Sequence, residues 1–325
     1  MINLLYRLFF KNSINYKEDI SMSEERVIIT TSERGINTDS LPYRLYQKAK
    51  KLGIWNPEDI DFSRDKIDWE TKLTDAQKEG ILRLISQFQA GEEAVTLDLL
   101  PLINVIAKEG RLEEEMFLTT FLWEEAKHTE FFRLALNAIG ETGDLSHHHT
   151  GTYKYVFYEL LPETMGRLEH DSSPKAVAEA AIVYNMFVEG ILAETGYYSF
   201  YRSLDDLGLM PGLMEGINHL KRDESRHIGY GTYLLQRIIS ENPELYDHIM
   251  QKMMEMAVLA NKVVSEGTEA ALERVGEEEL DTDPEETKRF AETQFKARMA
   301  VLQRAKGKHV DEIYKTKAEE VGVVD

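Results

Sequence analysis

Two segments of the chain repeat one four-residue pattern: Glu125-Ala126-Lys127-His128 and Glu224-Ser225-Arg226-His227. On a helix, residues three apart lie about 60° apart on one face. Each pair therefore offers a carboxylate and an imidazole on the same side. Each is also preceded by another glutamate in an apolar helical run, Glu92 lying 33 residues before Glu125 and Glu189 lying 35 before Glu224. Glu, Glu-x-x-His, Glu, Glu-x-x-His is the donor set with which a four-helix bundle holds two metal ions in its core.

A carboxylate within an apolar stripe is costly to bury unless something neutralises it. Four in one core would repel strongly, whereas two divalent cations would cancel their charge. The alternative is pairing with Lys127 and Arg226, but these project from other faces of their helices. With nine histidines, ordinary composition gives about one Glu-x-x-His by chance. Only His128 and His227 have glutamate three residues before them, and both lie in apolar stripes. A carboxylate-rich set without thiolate suits iron or manganese, and donor type does not choose between them. The run His147-His148-His149 is expected in an ordinary loop. His170, His219, His248 and His309 are expected as surface or helix-capping residues.

The elements that must carry these donors are helical. Leu41 to Gly53 reads as a short helix, broken by Asn56-Pro57. Thr74 with Gln77 forms a capping-box pattern that opens a long helix. Its stripe is Ile81, Ile85, Phe88, Val95, Leu99 and Ile103, with Glu92 inside, and Pro101 is expected to kink its far end. A second long helix runs from about Leu112 to Ile139 and ends at Gly140. Tyr153 to Leu168 reads as helix broken at Pro162. Pro174 opens the third ligand helix, to about Leu207, and the fourth follows Gly212. Pro243 opens another, to about Val264. Glu277 to Asp281 is expected as a solvated turn, and Asp283-Pro284 starts a last helix. No strand alternation is convincing, so the expected fold is all-α: a ferritin-like four-helix bundle with additional helices. The expected divisions are residues 1–38 as a poorly ordered arm, with Met22 a candidate true start, 39–308 as the metal-binding domain, and 309–325 as a tail.

Composition sets limits. The 325 residues carry a formal charge of −20, which disfavours nucleic acid as a partner. There is no cysteine, which excludes disulfides, thiolate metal sites and cysteine nucleophiles. No span of about 18 uncharged apolar residues suggests a transmembrane helix. The apolar start is short, broken by Arg7 and not followed by a cleavage site, so a secretory signal is not expected; the expected compartment is the cytoplasm.

At these residues the chain resembles the ligand-binding oxidases related to the small subunit of ribonucleotide reductase. The likeness runs from about Leu41 to Lys306. It includes Trp55-Asn56-Pro57-Glu58-Asp59, Gly91-Glu92-Glu93-Ala94-Val95, Tyr184-Asn185-Met186-Phe187-Val188-Glu189 and Asp223-Glu224-Ser225-Arg226-His227. The resemblance implies a mixed site in which Glu92, Glu125 and His128 hold manganese and Glu189, Glu224 and His227 hold iron, Glu125 bridging; di-iron is the alternative. It also implies a homodimer, dioxygen activation for two-electron oxidation, and a long-chain fatty acid whose carboxylate bridges the metals. An ether cross-link between a valine and a tyrosine is implied too, at Val95 and Tyr184. Val95, three residues from Glu92, faces the site naturally. Tyr184 is five before Glu189, about 140° around an ideal helix, so a distorted helix or a reach from a neighbouring helix is required. Phe88, Phe121, Phe132, Met186, Phe187, Tyr197 and Tyr198 are candidate linings of an apolar tunnel, with plain core packing as the alternative for each. Asp223 is placed to accept a hydrogen bond from His128.

Radical-storing reductase subunits usually place a tyrosine four residues after the first motif histidine; here that position is Phe132. Their tails usually carry a relay tyrosine, and no aromatic residue follows Tyr314. A minority reductase class shares phenylalanine at that position and uses manganese and iron, so Phe132 does not separate the two; the tail favours the oxidase over its main rival, a radical-generating manganese–iron reductase subunit, which Tyr314 keeps open. A ferritin-type storage protein and a purely structural bundle are the remaining alternatives.

Overall fold

The computed structural model describes residues 28–275 and 283–323. The expected start at Met22, most of the expected N-terminal arm, the expected turn Glu277–Asp281 and the last two residues lie outside the described residues. Contacts divide the chain into Met1–Ile36, whose described residues include a 3-10 turn at Ile29–Thr31, and a compact unit Asn37–Asp325.

Its helices are α1 (Leu41–Leu52), α2 (Ser63–Thr71), α3 (Asp75–Lys108), α4 (Leu112–Ala138), an α5 built of Gly151–Lys154, Tyr155–Leu160 and Leu161–Gly166, α6 (Pro174–Ser203), α7 (Pro211–Glu241), α8 (Tyr246–Val275), α9 (Pro284–Gln303) and α10 (Val310–Tyr314). No strand occurs among the described residues. The four ligand helices are α3, α4, α6 and α7.

Local chemistry sets their ends. The Thr74 hydroxyl accepts from Gln77 N at 3.2 Å while the Gln77 side chain accepts from Thr74 N at 3.0 Å, closing the expected capping box. Pro101 sits inside α3, which nevertheless continues to Lys108. Ile139 caps α4 and Gly140 turns out of it at φ 80°. Ser173 caps α6, with Pro174 as its first residue. By length and composition α6 could cross a bilayer, but 83% of its most apolar window is buried inside the protein, as befits the central helix.

Four expectations need correction. Pro162 does not break its helix: Tyr155–Leu160 is π-helical, and Pro162 falls in the first turn of the next α segment, where a missing N–H costs least. Helix α8 runs on past Val264 to Val275, because Glu266 accepts from Thr152 N at 2.8 Å and the carbonyl of the interior Gly267 accepts from Arg83, tying that stretch to α5 and α3. Helix α9 is not the last. Beyond it lies α10, and Ile313, Ala318, Val321 and Val323 are buried, so the segment expected as a tail packs on the body. Helix α2 was not expected from its polar sequence. It holds α7 in place: the Asp65 carboxylate accepts from Gly212 N at 2.8 Å and Leu213 N at 2.6 Å, and Asp68 accepts from Met210 N at 3.0 Å. These bonds satisfy orphan donors at the start of α7 and hold Met210 at its positive φ of 48°.

Candidate metal centre

The six expected donors converge. Glu92 comes from α3, Glu125 and His128 from α4, Glu189 from α6, and Glu224 and His227 from α7. Their ligand atoms form two groups, Glu92, Glu125, His128 and Glu224, then Glu125, Glu189, Glu224 and His227; within each, the atoms lie within 4.8 Å of one another. Glu125 and Glu224 belong to both groups, so Glu224, expected at one position only, stands beside both.

All six side chains are buried. The Nδ1 atoms of both imidazoles point inward. His128 Nδ1 lies 3.5 Å from Glu92, 3.5 Å from Glu125 and 3.4 Å from Glu224, and His227 Nδ1 lies 3.1 Å from Glu125 and 3.5 Å from Glu224. Both oxygens of Glu125, Glu189 Oε1, Glu224 Oε2 and the two Nδ1 atoms have no hydrogen-bond partner. Buried polar atoms left without partners cost free energy, and these aim at one another. Two cations would satisfy them, so the donor set fits a dimetal centre.

Each imidazole is held from behind by a carboxylate of the opposite helix. His227 Nε2 lies 2.8 Å from Glu124 Oε2, and His128 Nε2 lies 3.3 Å from Asp223 Oδ2. Arg226 donates to both Glu124 and Asp223. Lys127 Nζ reaches the Gly53 carbonyl at 2.6 Å and Asp223 at 3.4 Å, and the Trp55 indole donates to Asp223 at 2.8 Å. Lys127 and Arg226 thus project away from the inner carboxylates, as expected, and balance the outer pair. The role of Asp223 was expected; that of Glu124 was not. Its signal was present in the sequence, since an acid precedes the motif glutamate in both repeats.

The electrostatics of the centre follow from this crowding. Burial raises Glu92 and Glu189 well above the usual carboxylate range. Burial acts upward on Glu125 too, but the nearby imidazoles of His128 and His227 outweigh it and hold that carboxyl below its usual range. Burial acts downward on the imidazoles, yet both are raised well above their ordinary value, His128 by Asp223 and the inner glutamates and His227 by Glu124 and the inner glutamates.

Residues 182–193 of α6 form a π-helix. Its i→i+5 bonding puts residues five apart one turn apart, which is the distortion Tyr184 required. The Tyr184 hydroxyl lies 3.4 Å from the Val95 carbonyl oxygen, both residues being buried. Asn185 donates to Glu189 Oε2 at 3.0 Å and fixes that ligand's orientation.

A cavity of about 1130 Å³, counting its open mouth, reaches from Glu92, Glu125, Glu189 and Glu224 past Val95 to the surface between α3, α8 and α9. Of the expected tunnel residues, Phe88 lines it; Phe121, Phe132, Met186, Phe187, Tyr197 and Tyr198 do not, and the first five of these six are buried in the core. Phe121 instead stacks on His227 with ring centroids 3.6 Å apart. The histidine run is structural. His149 meets Ser86 Oγ at 2.9 Å and Tyr158 OH at 3.1 Å, and His148 meets Arg274 at 2.6 Å. His309 caps α10, His248 pairs with Glu179, and half-buried His219 stacks on Trp55.

A model of the family described as ribonucleotide reductase, small chain, matches residues 39–303. Among solved structures, an anaerobically reconstituted tyrosine-to-phenylalanine variant of an R2-like ligand-binding oxidase with an Mn/Fe cofactor is 42% identical. The match covers 85% of this chain and 98% of that one, with a TM-score of 0.79. An aerobically reconstituted valine-to-isoleucine variant, again with Mn/Fe cofactor, matches at 42% identity over 85% and 99% of the two chains, with a TM-score of 0.80.

Proposed function

We propose, proceeding from the fact that this chain belongs to the ribonucleotide reductase small-chain family and is a dioxygen-activating dimetal oxidoreductase of the ligand-binding oxidase kind, that it holds one manganese and one iron. Glu92, Glu125 and His128 hold the first and Glu189, Glu224 and His227 the second, with Glu125 between them and Glu224 in reach of both. When bound, the metal pair supplies dioxygen activation and the two-electron oxidation of a C–H bond.

The chain's own residues do the rest. Glu124 and Asp223 hold the Nε2–H of each imidazole, so that Nδ1 is free to ligate. Asn185 aims Glu189. The apolar walls around Phe121 and Phe132 keep water from the carboxylates, and the cavity admits a long-chain fatty acid whose carboxylate reaches the metals. Val95 and Tyr184 are the residues proposed for an ether cross-link, in which the valine loses a C–H hydrogen and the tyrosine its O–H hydrogen. The two electrons and two protons released go to dioxygen. What supports this is the 3.4 Å approach of the Tyr184 hydroxyl to the Val95 backbone, made by the π-helix.

The observation that carries the metal reading is the set of buried, inward-facing donor atoms without hydrogen-bond partners. Anomalous diffraction at the iron and manganese edges, on crystals grown with both metals, tests it. The expected result is one metal of each kind, with continuous density between Val95 and Tyr184 and an acyl chain in the cavity. A protein that takes up no transition metal refutes the reading. The alternative, a radical-generating small subunit of a manganese–iron ribonucleotide reductase, is favoured by the description of the matching family. Support of ribonucleotide reduction in a mixed assay with a large subunit decides for it. The homodimer is part of the same proposal and is checked by sedimentation.

A further inference from the structure

We infer, building on the fatty-acid reading above, that the ligand is acidic at both ends: a long-chain dicarboxylate, with one carboxylate at the metals and the other held by Arg83 at the mouth of the cavity. The character of the cavity wall changes along one face of α3. Its inner end is Glu92 with Val95, its middle Phe88 and Gly91, and its outer end Gln87 and Arg83. These positions recur at helical spacing. Arg83 stands nine residues before Glu92, ~14 Å along the axis at 1.5 Å per residue. Leu192 of α6 and Val263 of α8 line the same cavity. Every charged residue on its wall other than Arg83 is one of the four inner glutamates. The space therefore runs from a set of metal ligands, past apolar side chains, to a single guanidinium.

That guanidinium has no counter-ion of its own. Glu79 stands four residues before Arg83, the spacing at which a glutamate and an arginine pair along a helix. It turns instead to Arg274 of α8 at 2.5 Å and lies 3.5 Å from His148 Nδ1. Among the described residues Arg83 keeps one partner, the Gly267 carbonyl, and no carboxylate lies within ion-pair distance. Burial and the neighbouring Arg274 hold its pKa below the ordinary value, against the opposing pull of Glu79. A half-buried cation without an anion is costly, and most of its five N–H donors are free for a ligand.

The two candidate occupants differ at this end. A simple fatty acid anchored at the metals lays its apolar end against the guanidinium. A dicarboxylate neutralises it, and the planar fork of Arg83 suits a carboxylate. Gln87, one turn inward on the same face, adds an amide. A chain fixed at both ends cannot slide, so the same methylene stays beside the metals. Arg83 thus sets both which chain is chosen and which carbon is presented.

The test is calorimetric titration, under nitrogen, of the full chain loaded with manganese and iron. Hexadecanedioic acid is expected to bind roughly tenfold more tightly than hexadecanoic acid, the worth of a charged hydrogen bond partly exposed to solvent. Arg83→Gln should abolish that preference and Arg83→Lys should keep part of it, with metal content and the affinity for hexadecanoic acid unchanged in both. A series from dodecanedioic to octadecanedioic acid should peak at one length, whereas the matching monoacids should tighten steadily as the chain grows. Equal binding of the two acids, a preference that survives Arg83→Gln, or an Arg83→Gln variant that loses both acids alike overturns the second anchor and leaves the fatty-acid reading standing. A loaded protein that binds neither acid overturns both.

Discussion

The crossed support of the two imidazoles makes a prediction that separates this arrangement from a simple list of ligands. Glu124 lies on α4, next to Glu125 and near His128, yet its carboxylate holds His227 of α7 at 2.8 Å. Replacing it with glutamine keeps the shape and an acceptor for Arg226 but removes the charge that orients and polarises the imidazole. Loss of such a partner typically weakens metal binding ~10–100-fold, about 1.4–2.7 kcal/mol. Because Asp223 still backs His128, the loss should fall on the position that His227 serves, the one farther from the mutation in sequence. Asp223→Asn should do the reverse. Alanine is a harsher change, since it strips fully buried Arg226 of one of its two carboxylates, and breaking a buried pair costs ~3–5 kcal/mol of stability. The assay is per-site occupancy from anomalous scattering across a metal titration. Equal losses at both positions, or a loss centred on His128 in Glu124→Gln, would refute the crossed assignment.

Other expectations follow from the same geometry. Tyr184→Phe should load both metals normally but show no bond to Val95 in the intact mass, whereas a cross-linked peptide in that variant would exclude Tyr184 as the partner. Asp65→Ala removes the acceptor for Gly212 N and Leu213 N and should cost ~1–2 kcal/mol, read as a lower midpoint in urea with an unchanged slope. Gly216→Ala places a methyl against the ring of Phe131; overpacking there should cost ~1–3 kcal/mol, and a variant as stable as the parent would show that the helices yield. The pH dependence of the metal-free protein has a defined sign. His128 and His227 are raised above their ordinary 6.5, so their contribution is fully present below that value and lost as pH rises through the folded-state values. Glu92 and Glu189 are raised above 4.5 by burial, and their cost likewise grows as pH rises. The metal-free Tm should therefore fall with rising pH and the gain on metal loading should widen, because loading releases those protons. A gap that narrows between pH 6 and 8 would contradict this.

The positions of the six donors were legible because a metal pair demands them at helical spacing within apolar stripes, and little else explains four buried acids. What was not legible has physical causes. Tyr184 sat on the wrong face of an ideal helix, and nothing local announces that Ile182–Ala193 winds as a π-helix, whose i→i+5 bonding brings Tyr184 and Glu189 onto one side. Helix α2 has a weak apolar stripe because its purpose lies in two carboxylates that cap another helix. The segment after Lys308 looked like a tail because its few apolar residues gain a partner only when Gly229 of α7 leaves room for Val323. Glu124 was passed over because, adjacent to Glu125, it reads as a solvent-facing neighbour; only the opposite helix shows where it points.

Charge accounting explains why the outer shell is built as it is. Glu124, Asp223 and Arg226 are fully buried and Lys127 is nearly so: Arg226 touches both acids, and Lys127 reaches Asp223. The outer ring is thus formally neutral by itself. The inner four carboxylates have no lysine or arginine within ion-pair distance among the described residues. Had Arg226 or Lys127 turned inward, the core would be stable without metal and the carboxylates would be quenched as ligands. By spending both cations on the acids behind the imidazoles, the fold leaves a deficit of four charges that protons fill only in part and two divalent ions fill completely. Substituting an inner ligand by glutamine should then stabilise the metal-free protein even as it weakens loading. Glu189→Gln, buried beside Asn185, is the cleanest case: a higher metal-free Tm with a lower metal affinity is expected, and a fall in both would show that the inner carboxylates are not held in unrelieved repulsion.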